Sequence, residues 1–256
     1  MAETAVRRTV LVTGAGRGIG RSAVLAFATA GFDVAVNFSR SESAARAVAE
    51  EAERAGAKTL LVKADVADET AVRAMADAVG VHFGRLDVLV NNAGTTTDTP
   101  PSDLDGLSMD DWDRIFAVNV RGTFQVTRAC VPLLRRSAPA SVVNLASVVG
   151  VRPGPQPFPY AASKAAIVNL TRTLAGALGP EIRVNAVAPG WMEGEWMEHA
   201  LGDNYESLMA RRAKRTPLRR CVTADDVAAT IVNLAISNPF VNGETVVIDG
   251  GYTATT

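Results

Sequence analysis

The chain has 256 residues, 48% of them hydrophobic and 21% charged, with a formal net charge of -1. That composition supplies a substantial core for one large α/β domain or two small ones, and the balanced charge carries no bias toward nucleic acid or a membrane surface. Two cysteines, Cys130 and Cys221, make no disulfide framework, so a reduced, cytoplasmic compartment is expected. The N-terminal stretch lacks an apolar signal core, and no apolar run reaches the roughly 18 residues of a membrane span. His82 and His199 have no nearby cysteine or second histidine, so no metal site is expected.

Taken in chain order, the first strand is expected at "RTVLVTG". It leads through the glycine-rich turn "TGAGRGIG", Thr13 to Gly20, into a helix over 18–30. "FDVAVNF" precedes a helix over 41–55, "KTLLVKAD" one over 68–83, and "LDVLVNNAG" a long one over 110–136. "SVVNLAS" runs into a stretch with prolines at 153, 155, 157 and 159, which bar a helix, and then a helix over 160–178. "IRVNAVAPG" opens the less periodic 191–216 segment, followed by a helix over 223–235 and the last strand, "ETVVIDGG". The strands are almost continuously apolar, as parallel strands buried on both faces are. Strand–helix alternation of this kind specifies right-handed βαβ units. The expected fold is therefore α/β, a doubly wound parallel sheet of about seven strands with helices on both faces, in a single domain over 1–256.

The glycine turn lies between a strand and a helix. Gly14, Gly16, Gly18 and Gly20 allow a tight turn and let a pyrophosphate approach the backbone at a helix N-terminus. At the end of the second strand a carboxylate would bind a ribose 2′-hydroxyl and repel a 2′-phosphate. Asn37 stands there instead, with Arg40 nearby and Arg17 inside the turn. Two guanidiniums without a carboxylate suit a dianionic phosphate, hence NADP(H) in preference to NAD(H); the alternative is that both arginines are merely solvated. Tyr160 and Lys164 are four apart on one helix and share a face. A nearby ammonium, together with a cationic oxidised nicotinamide, is expected to lower the tyrosine pKa from about 10 and make it a usable acid–base group.

These motifs together resemble the short-chain dehydrogenase/reductase family, whose fold is Rossmann-like. The glycine motif TGxxxGIG is Thr13–Gly20, NNAG is Asn91–Gly94, YxxxK is Tyr160 and Lys164 with Ser147 thirteen residues earlier, the helix asparagine is Asn119, and the "PG" after the sixth strand is Pro189–Gly190. The resemblance spans the whole chain in order. "NNAGTTTD" and "VNGETVVIDGG" are most similar to 3-oxoacyl-[acyl-carrier-protein] reductases.

The resemblance implies roles. Tyr160 is the general acid/base, Ser147 holds the substrate oxygen, Lys164 binds the nicotinamide ribose and tunes Tyr160, and Asn119 disturbs its helix and holds a water linked to Lys164. It further implies cofactor contacts from Gly14, Arg17, Gly18, Ile19, Gly20, Ser39, Asp65, Val66, Asn91, Ala93, Gly94, Pro189, Gly190 and Met192. Asp65 reads equally as an acid near a helix N-cap. Gly194 falls where many relatives have a hydroxyl residue. The segment 191–216 is expected to cover the substrate, with Trp191, Met192, Trp196 and Met197 either lining an apolar pocket or packing beneath a loop. The basic run from Arg211 to Arg220, with Arg128, Arg135, Arg136 and Arg172, reads as a solvated face or a surface for an acyl carrier protein. The implied reaction is NADPH-dependent reduction of a 3-oxoacyl thioester or similar ketone. Oxidation of a sugar or other small alcohol, and a cofactor-binding regulator without turnover, are the alternatives. A homotetramer, or a homodimer, is expected. The proline stretch is expected to form an extended wall beside the substrate, with Phe158 either touching substrate or packing.

Overall fold

The computed structural model describes residues 7–255, apart from the side chains of His199 and Ala200. The N-terminal stretch considered for a signal core begins at 1–6, outside those residues.

Seven strands form one parallel sheet: β1 (Thr9–Val12), β2 (Asp33–Phe38), β3 (Thr59–Lys63), β4 (Val88–Asn91), β5 (Ala140–Leu145), β6 (Ile182–Pro189) and β7 (Thr245–Ile248). Their order is β3-β2-β1-β4-β5-β6-β7. Alternate strand residues feed two cores. Val10, Val12, Val34, Val36, Val88 and Val90 pack under α1 (Gly18–Thr29), α2 (Glu42–Arg54) and α9 (Ala224–Ile236). Leu11, Ala35, Leu89 and Val142 face the other way, against α3 (Glu69–Phe83), α5 (Thr123–Arg136) and α6 (Phe158–Leu178). Each such Val or Leu contributes about 1.5–3 kcal/mol when fully buried, which is why these strands read as unbroken apolar runs. Among the described residues no helix is long and apolar enough to cross a membrane.

The strand order reverses at β1, so a crevice opens beyond the carboxyl ends of β1 and β4. Every motif that follows a strand in the sequence falls at that edge.

Four expectations are corrected. The helix expected over 110–136 is two helices, α4 (Met109–Phe116) and α5, joined by a π-helical turn over Ala117–Gly122. The helix expected from 160 begins at Phe158, with Pro157 as its cap and Pro159 in its first turn. A first-turn residue needs no backbone N–H, so proline is admitted there. The proline stretch is not a straight wall: it bends at Pro155–Gln156, and the Gln156 N–H donates to the Gly154 carbonyl at 2.9 Å. The segment over 191–216 carries two short helices, α7 (Glu195–Leu201) and α8 (Tyr205–Arg215).

Candidate active site

The glycine turn locks onto the loop after β4. The Thr13 hydroxyl accepts from the Asn92 and Ala93 N–H groups at 3.0 and 3.1 Å, and the Asn92 amide donates to the Thr13 and Gly14 carbonyls, each at 2.9 Å. Gly14 has a φ of +61°, and a Cβ on it would sit 2.9 Å from the Ala93 Cα. A Cβ on Gly20 would sit 2.4 Å from the Gly14 carbonyl oxygen. Gly18 differs: its φ is +52° and a Cβ there meets nothing within 4 Å. Arg17 caps α1 in extended conformation without a side-chain cap bond. The first-turn N–H groups of α1 therefore lack a side-chain cap beside open space, a cradle that fits a pyrophosphate. Ile19 packs its side chain on the core behind this turn.

Asn37 is 1% exposed, and its side chain is directed inward. Its Oδ1 accepts from the Gly14 N–H at 3.2 Å, and its Nδ2 donates to the Val62 and Ala64 carbonyls at 3.2 and 3.1 Å. It holds the glycine turn from the inside. Ser39, Arg40 and Arg17 are exposed nearby, and neither arginine has an ion pair among the described residues. Asp65 is not the cap of α3. That role belongs to Asp68, which accepts from the Thr70 and Ala71 N–H groups, while Asp65 accepts from the Ala67 N–H at 2.9 Å and stays exposed. Val66 is buried, and its carbonyl accepts from Gln125. Asn91 is also interior: its amide donates to the Thr127 hydroxyl and the Asn144 Oδ1, each at 2.9 Å, tying β4 to α5 and β5. Pro189 is buried at the end of β6, and Gly190 packs so closely that a Cβ would lie 2.6 Å from the Asp249 Cβ.

Asn119, Ser147, Tyr160 and Lys164 come from the π turn, the end of β5 and α6. Asn119 is 1% exposed; its Oδ1 accepts from the Thr95 N–H at 2.8 Å, and its Nδ2 donates to the Thr95 carbonyl at 3.0 Å and the Ser163 hydroxyl at 2.9 Å. The Ser163 hydroxyl in turn donates to the Tyr160 carbonyl at 2.7 Å. Gly94 lies against this group: a Cβ on it would be 3.4 Å from Asn119 Oδ1 and 3.8 Å from Lys164 Nζ. The buried Lys164 Nζ donates to the Leu145 carbonyl at 2.6 Å and sits 5.6 Å from the centre of the Tyr160 ring.

The protein's own side chains act on Tyr160 in the opposite direction to that expected of the ammonium and nicotinamide together. Burial pushes the Tyr160 phenol up to about 12, opposed by its hydrogen bond with Ser147. Burial likewise brings Lys164 down to about 8. Loss of hydration disfavours the charged form of each group and is the largest cause for both. The phenol is therefore protonated across neutral pH, ready to donate a proton. The group that titrates first on raising the pH is Lys164, which loses its charge through about 8. We expect kcat/KM for NADPH to fall roughly tenfold per pH unit above about 8, because it reports ionisations of the free enzyme. A profile flat to pH 10 would show that the ammonium is not required.

The segment over 191–216 sorts its large residues. Trp196 meets Tyr160 edge-on. Trp191 lies under the Arg212 guanidinium, 3.4 Å from the ring centre, and Met192 packs on the core and bridges to Val222. Gly194 caps α7 at a φ of +122° and donates its N–H to the Tyr205 hydroxyl at 3.2 Å. Part of the basic set has partners: Arg128 pairs with Glu69, Arg135 with Glu181 and Arg220 with Asp226. Arg136, Arg172, Arg211, Lys214 and Arg215 are exposed.

Thr13, Asn92, Thr95, Gly150 and Ser163 are site residues that the sequence reasoning does not single out. The first two lie inside the quoted motifs and Ser163 directly precedes Lys164. Nothing local marks Gly150, whose Cβ would fall 2.5 Å from the Lys164 backbone carbon and so needs α6 to be in place.

A dinucleotide cradle set against buried Asn119 and Lys164 and half-buried Ser147 and Tyr160 defines a nicotinamide-dependent oxidoreductase. Residues 14–253 match the family described as Enoyl-(Acyl carrier protein) reductase. The chain is 39% identical over 244 residues, 94% of each chain, to a protein named as a ketoacyl reductase of the granaticin polyketide synthase from Streptomyces violaceoruber. It is 38% identical over 246 residues to 3-oxoacyl-[acyl-carrier-protein] reductase FabG from Staphylococcus aureus, covering 95% of this chain and 97% of that one. Among solved structures, gluconate 5-dehydrogenase from Burkholderia cenocepacia in complex with NADP and tartrate aligns with a TM-score of 0.88 at 33% identity, over 97% and 96% of the two chains. The chain belongs to the short-chain dehydrogenase/reductase family and is an NAD(P)-dependent oxidoreductase acting on CH–OH donors.

Proposed function

We propose that this enzyme reduces a ketone, a 3-oxoacyl thioester or a close analogue, to a secondary alcohol with NADPH. The observation that carries this reading is the placement of the half-buried Tyr160, its ring centre 5.6 Å from the buried Lys164 Nζ, with a phenol held neutral. A neutral phenol is the form a carbonyl reduction consumes, since the developing alkoxide must take a proton. When bound, the reduced nicotinamide supplies the hydride. Tyr160 then gives its proton to the carbonyl oxygen, Ser147 orients that oxygen, and Lys164 binds the ribose hydroxyls. Asn119 fixes the loop of Thr95 against α6 and, in this reading, holds the water that links Lys164 to solvent. The glycine turn, with Ile19, Ala93 and Gly94 behind it and Asp65 and Val66 beyond β3, forms the cofactor groove that Pro189, Gly190 and Met192 close.

Arg17 and Arg40, exposed with no carboxylate at the end of β2, support NADPH over NADH. Replacing both with serine is expected to raise KM for NADPH by about 10–100-fold, at roughly 1.4 kcal/mol per tenfold, and to leave KM for NADH within a factor of about three. Equal loss with both cofactors would remove the phosphate role. The function itself is tested by NADPH oxidation across acetoacetyl thioester, sugar, steroid and simple ketone substrates. Turnover of a sugar alone would replace the thioester reading.

We place the segment 191–216 over the substrate and assign the exposed basic residues of α8 to an acidic carrier protein. The groove lined by Phe116, Val120, Phe124 and Leu170, together with the exposed Phe240 and Val247, supports a homotetramer with closed symmetry, and the two buried free cysteines support a cytoplasmic setting.

A further inference from the structure

One large aromatic side chain of the covering segment touches the catalytic tyrosine. The Trp196 and Tyr160 ring centroids are 6.2 Å apart at an interplanar angle of 63°, an edge contact, and Trp196 is nevertheless 51% exposed. Val151 and Phe158 are 50% and 45% exposed on the segment that runs from Ser147 to Tyr160. Exposed apolar side chains of this size each forgo about 1.5–3 kcal/mol of burial. All three lie on the two chain segments that lead to Tyr160 or contact it, and of them Trp196 is the one in ring contact with the phenol.

We propose that Trp196 is a specificity-determining residue, whose indole stacks on an aromatic ring attached to the carbonyl carbon of the substrate. The enzyme then prefers 3-aryl-3-oxoacyl thioesters to saturated counterparts. This inference rests on the ketone-reductase reading above. A carbonyl oxygen held by the Tyr160 and Ser147 hydroxyls keeps its substituents within a few ångströms of the tyrosine ring, the distance at which Trp196 stands. With Trp196 51% exposed beside Tyr160, part of the indole remains open to a substrate ring, and offset or T-shaped ring pairs add about 0.5–1.5 kcal/mol beyond area burial. An alkyl ring of the same size fills the space but gains none of that term. Glu193, Glu195 and Glu198 are exposed on the same segment, and their charge disfavours an anionic group at this position.

The test compares kcat/KM with NADPH for the N-acetylcysteamine thioesters of 3-oxo-3-phenylpropionate and 3-cyclohexyl-3-oxopropionate, with the acetoacetyl thioester as reference. The intrinsic reactivity difference between the two ketones cancels when variants are compared. Trp196→Leu is expected to lower the phenyl-to-cyclohexyl ratio by about 2- to 13-fold, the ring-pair term expressed as a rate factor. Trp196→Phe is expected to restore the ratio, and any change common to all three thioesters is removed by normalising to acetoacetyl turnover. Trp196→Met provides a second aliphatic variant should the leucine fail to fold. An unchanged ratio, or equal loss on both ketones, overturns the proposal while leaving the reductase reading intact. Absence of turnover of all three thioesters by the unaltered enzyme overturns the reading on which it rests.

Discussion

Tyr160→Phe is expected to reduce kcat/KM for ketone reduction by about 10²–10⁴-fold, the range for loss of a positioned acid, while NADPH binding survives. The substitution removes one hydroxyl and its bond to Ser147, and keeps the ring that Trp196 contacts. The glycine turn of the cofactor cradle does not depend on that hydroxyl: it is held by Thr13, Asn37 and Asn92. A fluorescence titration with NADPH alongside steady-state rates separates a lost proton donor from a collapsed site. Activity within tenfold of the unaltered enzyme would mean that Ser147 or solvent supplies the proton, and the role given to Tyr160 would fall.

Gly20→Ala is expected to abolish tight NADPH binding and to destabilise the fold. The new methyl group would meet the Gly14 carbonyl oxygen at 2.4 Å, the Asn92 Nδ2 at 2.6 Å and the Ala15 Cα at 2.9 Å. Two of those three atoms are backbone of the glycine turn itself, so relief requires the turn to leave its seat on the loop after β4. Overpacking of this kind costs about 1–3 kcal/mol, or roughly 2–12 °C in Tm for a domain of this size. Gly18→Ala is the control. It carries the strain of a φ of +52° but meets no atom within 4 Å, so about 1–2 kcal/mol and no clash are expected. Equal Tm and equal NADPH affinity for the two variants would show that steric contact at Gly20 does not set the shape of the turn.

Much of the site is legible in the amino-acid sequence, and the part that is not has a common origin. Asn37 stands at the end of a strand, where a ribose is bound in this kind of fold. Its amide is taken instead by backbone groups of β3 and of the glycine turn, far away in sequence. Asp65 has the character of a cap, but the extra residues before α3 give that role to Asp68. The helix expected over 110–136 has an unbroken apolar pattern. The π turn inside it brings Asn119 onto Thr95 and Ser163, three long-range bonds that no periodicity encodes. A shared helix face predicts that Lys164 lowers Tyr160; burial by the surrounding loops shifts both groups the other way.

The sequence by itself determined the strand–helix alternation and the parallel sheet, and it singled out the glycine turn and Ser147, Tyr160, Lys164 and Asn119 as the candidate site. These are local properties: apolar period, glycine placement and the spacing of reactive side chains along one chain. Only the tertiary structure decided which way Asn37 faces, that Ser163 joins Asn119 to the catalytic helix, that the phenol stays protonated, and that Trp196 rather than Trp191 stands over it. Those outcomes depend on water exclusion and on bonds between segments distant in sequence, and both arise only when the elements pack.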